Sequence, residues 1–160
     1  VVREDNHLTE ENKYGPVVVG VDGSDVSQQA TEFAFAEADA RGAKIEAIHT
    51  WIDMQVQASL AGLAAAQQEW KVVEEEQTQL LQERLAPLLE QYPNVDVDMV
   101  ITRDRPIRAL VDAAKHAQLL VVGSHGRGGF RGMLLGSTSR ALLQAAPCPM
   151  MVVRPEKLPK

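Results

Sequence analysis

Apolar residues along this chain fall into five short runs and four longer, helically spaced stretches, and the two kinds alternate. Residues 16–22, PVVVGVD, are β-branched and end in Gly and Asp, which predicts a buried strand. SDVSQQATEFAFAEADARG then carries helix signals. Ser24 or Asp25 stands as N-cap, Gln28 is placed for a capping box, and Gly42 stops the helix. Val26, Ala30, Phe33 and Ala34 share one face. KIEAIHTW at 44–51 predicts a second strand. Residues 53–92 are helical in character, with Leu81, Leu85, Leu88 and Leu89 as the apolar stripe. Within them QVQASLAGLAAAQQ suggests a mobile connection, and Pro87 predicts a kink or break. VDVDMVIT at 95–102 alternates apolar and polar side chains, as a strand near a sheet edge does. Pro106 opens a helix whose apolar positions are Ile107, Leu110, Val111 and Ala114. LLVVGS is a fourth strand, and Ser137 is expected to cap a helix that Pro147 and Pro149 end. MMVVR at 150–154 closes the series as a fifth strand.

Strands that alternate with helices must pair in parallel, with helices on both faces. The expected architecture is an α/β, Rossmann-like, doubly wound sheet of five parallel strands in the order 3-2-1-4-5. One domain would span residues 15–155, flanked by a disordered N-terminal tail at 1–14 and a short C-terminal tail at 156–160. A chain of 160 residues is long enough for one such core, burying about 70% of its extended surface. No internal repeat is visible.

Composition changes this picture little, but the placement of charge matters. Hydrophobic residues make up 45% and charged ones 24%, ordinary for a globular chain, and no stretch approaches the ~20 apolar residues of a membrane helix. The polar, acidic residues 1–14 resemble neither a signal peptide nor an anchor. Cys148 is the single cysteine, so no disulfide can form within the chain, and a small buried side chain in a reducing, cytoplasmic compartment is the expectation. Net charge is −6, which argues against a nucleic-acid partner. Between Arg103 and Arg140, however, seven Lys or Arg stand against two acids, a local +5 in an otherwise acidic chain. That favours a small, local anion over a polyanion.

The basic segment contains GSHGRGGFRGMLLGS at 123–137, which holds six of the eleven glycines. It leaves the fourth strand at its carboxyl end, where ligands of open parallel sheets bind, and Asp22 leaves the first strand at the same end. It is not a Walker A loop, because no lysine lies between 116 and 156, and it does not fit G-x-G-x-x-G. It does fit G-x2-G-x9-G-[ST] through Gly123, Gly126, Gly136 and Ser137. Glycines let the main chain turn tightly and aim successive amides at an anion. Gly136, Ser137 and Thr138 would add a helix N-terminus, and Arg127 and Arg131 charge-assisted bonds.

With VVVGVDGS at the start and PCPMMVVR at the end, these residues resemble the universal stress protein family, specifically its ATP-binding branch, over about residues 15–155. The resemblance implies ATP as ligand, with Mg²⁺ on its phosphates. Asp22 would reach the ribose or that Mg²⁺, Gly20 would leave room for the base, and the Thr50 backbone would meet the adenine edge. Gly123, Ser124, His125, Gly126, Arg127, Gly128 and Gly129 would wrap the phosphates, and Gly136, Ser137 and Thr138 would complete the cradle. The family commonly has Gly-x-Pro after the third strand, whereas this chain has Asp104-Arg105-Pro106. A carboxylate aimed into the crevice would repel phosphate unless a metal, Arg103 or Arg105 neutralised it. Resembling proteins also dimerise through the last strand, so a homodimer through 150–154 is expected, since that apolar edge needs cover.

No catalytic set stands out. His49 and His125 have no second ligand at metal spacing, and His7 and His116 read as solvated. Asp22 could merely cap the first helix, and Arg103, Arg105 and Arg108 could simply be solvated. Trp51 and Trp70 offer no stacking platform for single strands, and Glu74, Glu75 and Glu76 form a wet helix face. The expectation is therefore a stress-response regulator switched by nucleotide, with ATP hydrolysis slow or absent and an unknown signalling partner. Two alternatives remain open. An adenine-nucleotide α-hydrolase would carry S-G-G-x-[DS]-S after the first strand, where this chain has DGSDVS. A dimeric interaction module without nucleotide would lack the glycine signature.

Overall fold

The computed structural model describes residues 10–50, 63–126 and 135–155, the side chains of 63–70 excepted. Five strands, β1 (Val17–Val21), β2 (Ile45–Thr50), β3 (Val97–Thr102), β4 (Leu119–Gly123) and β5 (Met150–Val153), pair in parallel in the order β3-β2-β1-β4-β5. The strand order reverses between β1 and β4, in register Val17 with Leu119 and Val19 with Val121. Helices α1 (Asp25–Arg41), α2 (Leu63–Gln91), α3 (Pro106–Ala114) and α4 (Ser137–Ala145) make the crossovers.

The sheet is apolar on both faces because both are covered. On one face Val17, Val19, Val21, Ile45 and Val121 pack against Ala34, Phe35 and Ala38 of α1 and Leu81, Leu85 and Leu88 of α2. On the other, Val18, Ile48, Leu120 and Val122 meet Leu110 and Ala114 of α3 and Leu142 of α4. Alternate residues of the VVV run thus serve opposite cores, so a one-residue slip of β1 would exchange them.

Several local expectations shift. Ser24 is the N-cap of α1 and accepts a hydrogen bond from Ser27 N at 3.2 Å, so Ser27 takes the third helical position that Gln28 was expected to fill. Gly42 ends α1 at φ 62°, a left-handed conformation that favours glycine. Phe33 is exposed and Phe35 buried, its ring 5.9 Å from that of Tyr92. The buried stripe of α1 runs through Ser27, Ala30, Thr31, Ala34, Phe35 and Ala38, which turns Phe33 away from the sheet. Leu89 is likewise exposed, as is Ile107. Helix α2 continues past Pro87 without a break, held on either side by buried Leu85 and Leu88. Most of the connection expected to be mobile, 55–62, lies outside the described residues, as do 1–9 and 156–160.

The last residues of the expected N-terminal tail are structured. Asn12–Tyr14 form a 3-10 turn, and buried Asn12 donates from Nδ2 to the Lys115 carbonyl at 2.9 Å. A Cβ on Gly15 would collide with the His116 carbonyl, so the chain enters β1 pressed against the α3–β4 turn. The end of α4 lies as expected, but its start does not: Gly136 is the N-cap, and Ser137 is the first helical residue. Ser139, at the third helical position, is the serine that reaches back to the preceding loop, bonding Gly123 O.

Candidate functional site: a crevice at the switch point

Where β1 and β4 diverge, their carboxyl ends border a crevice of about 110 Å³. Gly20 forms part of its floor. A Cβ there would stand 3.2 Å from Leu110 Cδ1 and 3.5 Å from Val122 Cγ1, so any side chain would fill space that glycine leaves open. Ile48 and Thr50 of β2, with Pro106 and Leu110 of α3, make an apolar side. Asp22, Gly123, His125, Gly126 and Thr138 make a polar one. One flank thus suits a flat apolar ring, and the other suits hydrogen-bonding or charged groups.

The polar side is held by a clamp at the neck of the glycine loop. Gly136 N donates to Ser124 O at 2.7 Å, closing the loop on itself, and Ser124 N donates to Val153 O at 2.7 Å. Ser139 Oγ donates to Gly123 O at 2.7 Å. Ser124 is fully buried, and its Oγ lies 2.9 Å from His125 Nδ1. Ser124 and Gly136 therefore fasten the loop and do not line the crevice. Gly123 is required for packing: a Cβ would come 2.9 Å from Val26 Cγ1 and 3.3 Å from Ser27 N. The neck delivers the first turn of α4 to the crevice, where unpaired helical amides and the positive dipole end favour an anion.

Asp22 is oriented by α1. Its Oδ1 accepts from Ser24 N at 2.8 Å and Ser24 Oγ at 2.6 Å, while its own N–H donates to Ser27 Oγ at 3.3 Å. The carboxylate thus organises the turn into α1 and still borders the crevice, so the two readings of Asp22 are not exclusive. Asp104 does not point into the crevice. Its Oδ1 accepts from Arg105 N at 2.8 Å, and its Oδ2 lies 3.4 Å from Arg108 Nε. Arg108, which the sequence offered no reason to choose over Arg103 or Arg105, is the side chain that neutralises it. His49 is buried, with Nδ1 2.7 Å from Val21 O and Nε2 2.8 Å from the Gln77 side-chain amide.

Of the residues singled out from sequence, the crevice gathers Gly20, Asp22, Thr50, Gly123, His125, Gly126 and Thr138. Ser137 is exposed and outside its lining, and Arg127, Gly128, Gly129 and Arg131 lie outside the described residues. Besides Val21 and Pro106, sequence reasoning missed Ser27, Ile48, Leu110, Val122 and Ser139 as lining. A signal existed for the two serines, since each is third in its helix, where a side chain can reach back across the N-terminus. The apolar three look like ordinary core residues in sequence. Among the described residues no three His, Cys, Asp or Glu side chains converge to hold a metal, and no helix is long and apolar enough to cross a membrane.

Comparison with known proteins agrees with this fold. The family model described as the universal stress protein family matches residues 13–154. A universal stress protein of Mycobacterium tuberculosis is 47% identical over 154 residues, which is 96% of this chain and 50% of that protein. One of Mycolicibacterium smegmatis is 45% identical over 155 residues, 97% of this chain and again 50% of the relative. The chain therefore spans about half the length of the curated relatives it matches. Among solved structures, a universal stress protein in complex with cAMP is 27% identical, with a TM-score of 0.58, covering 88% of this chain and 97% of its own. One from Archaeoglobus fulgidus in complex with dAMP aligns with a TM-score of 0.54 at 21% identity, over 88% of this chain and 98% of its own, a likeness of fold. Fold order, loop spacing and these matches converge: the chain belongs to the universal stress protein family.

Proposed function

We propose that the crevice binds an adenine nucleotide, ATP with Mg²⁺ on its phosphates, and that occupancy switches the surface around the glycine loop in a stress-response regulator. The observation that carries this reading is the union of a Gly20 floor with a loop neck that seats the α4 N-terminus beside Asp22. The base would lie between Gly20, Ile48 and Leu110, with the Thr50 backbone at its edge. The phosphates would meet Gly126, Thr138 and the first amides of α4, with Gly123 keeping the neck tight. Bound Mg²⁺ would supply positive charge at the phosphates, and Asp22 is the carboxylate placed to face it. At about 110 Å³ the crevice is smaller than the roughly 300–1,000 Å³ of pockets that bury a whole drug-sized ligand, so part of the nucleotide would extend over the loop. The relative solved with cAMP supports the ligand class.

Hydrolysis is at most slow in this reading, and the protein acts by binding. Its natural setting is the cytoplasm, and its partner is a second copy of the chain across β5. A groove beside that strand, lined by Leu119, Leu143, Met150 and Val152, favours the dimer.

The test is to purify the chain without added nucleotide, denature it, and separate the supernatant by anion exchange against adenine-nucleotide standards. Co-purified ATP in the native chain that is absent from Gly126→Val supports the reading. A native chain that is empty and takes up no ATP with Mg²⁺ overturns it.

A further inference from the structure

The peptide plane that joins β1 to Asp22 is gripped at both ends. Its carbonyl, from Val21, lies 2.7 Å from His49 Nδ1 in β2, and its N–H, from Asp22, donates to Ser27 Oγ in α1 at 3.3 Å. A carbonyl only accepts, so Nδ1 carries the proton. On the other side of the ring, Nε2 lies 2.8 Å from Gln77 Oε1 of α2. His49 is 8% exposed and Val21 5%, so the bond between them is protected from water.

We infer that His49 is a positioning residue for the nucleotide site: through the Val21 carbonyl it sets the peptide plane that aims Asp22, and Gln77 holds the ring in place from its far side. This rests on the proposed nucleotide reading and adds the means by which the seating of α2 and the aim of Asp22 depend on each other. Rotation of an unclamped peptide would carry the Asp22 carboxylate with it. The bonds from Ser24 to Oδ1 would then hold a carboxylate whose backbone anchor has loosened. His49 touches no ligand in this scheme, since the crevice is lined by its neighbours Ile48 and Thr50.

The test compares His49→Asn with His49→Leu, using calorimetric ATP affinity and melting temperature. The Asn amide can donate to the Val21 carbonyl from nearly the place of Nδ1, whereas Leu cannot. Both variants lose the Gln77 contact and should melt lower. The expected split is in affinity: His49→Leu binds ATP about tenfold more weakly, while His49→Asn stays within about threefold of the native chain. If His49→Leu fails to fold, Gln77→Leu, which keeps the Nδ1 bond but frees the ring, is expected to weaken binding about threefold. The ¹⁵N shifts of the native imidazole should report the Nδ1-protonated tautomer. Equal affinity in all variants, equal losses in Asn and Leu, or the other tautomer would each overturn the positioning role alone. A native chain that binds no adenine nucleotide overturns the proposed function together with it.

Discussion

Gly126 stands so close to Asp22 that a Cβ added to it would lie 2.8 Å from Asp22 Oδ2. The start of the glycine loop and the end of β1 therefore form one wall, with room between them for main chain only. Gly126→Ala is expected to push the carboxylate or the loop aside and weaken ATP binding at least about tenfold. Because Gly126 is exposed, the melting temperature should move by less than about 2 °C. Titration calorimetry and a melt on the same samples check both halves.

Asp104 is the residue that departs from the family pattern, yet its carboxylate is engaged by Arg105 N and Arg108 outside the crevice. Restoring glycine by Asp104→Gly should therefore change ATP affinity by less than about twofold, as an exposed pair worth only tenths of a kcal/mol implies. A large gain in affinity would show that the carboxylate does reach the ligand.

The clamp at the loop neck can be opened from α4. Ser139→Ala leaves the Gly123 carbonyl without its hydroxyl donor beneath a residue that is 3% exposed, which should cost about 1–3 kcal/mol in denaturant unfolding. Nucleotide affinity should fall as well, because the same bond aligns the loop with the α4 amides.

These positions show where the sequence was informative and where it was not. The parallel, doubly wound sheet followed from alternation, since each run is too short to be anything but a strand and each helical stretch is a crossover, whereas alternation alone does not fix the order of the strands. Gly20, Asp22, Gly123 and Gly126 could be chosen because they are fixed by strand ends and by a long spaced motif. The pair Phe33 and Phe35 could not be resolved: two aromatics two residues apart face nearly opposite sides of a helix, and Tyr92, distant in sequence, takes Phe35. The partner of Asp104 was equally hidden, because three arginines lay within reach along the chain and only the turn into α3 selects Arg108. The N-cap of α4 was misplaced by one residue because Gly-Ser offers two competent caps.

On the far side of the sheet from α1, Glu46 of β2 stands in register with Asp98 of β3. Burial, reinforced by the Asp98 charge and partly offset by His116, raises the Glu46 pKa above its ordinary value. A raised carboxyl pKa means that the folded state prefers the protonated form, so its contribution is full below the unfolded pKa and is lost as pH rises through the folded one. Glu46→Gln should therefore stabilise the chain at neutral pH by a few tenths of a kcal/mol, about the scale of one cross-strand charge contact, and should lose that advantage in acid. Melting curves of both proteins from acid to neutral pH give the comparison.

Cys148 is fully buried, with Sγ 3.4 Å from Pro149 O, and burial pushes its thiol up to about 11. It should resist a thiol reagent in the native state at neutral pH and react fully once unfolded. The same shift makes the folded state disfavour the thiolate, so stability relative to Cys148→Ala should decline as pH rises from about 9 toward 11.

The central claim is that the crevice between β1 and β4 is a nucleotide site, and calorimetric titration of the native chain with ATP and Mg²⁺, beside Gly126→Val, tests it most directly. Saturable one-site binding to the native chain freed of co-purified nucleotide, lost in the variant while its melt remains cooperative, is the expected result. Native and variant chains that bind alike, or a native chain that does not bind, would contradict it.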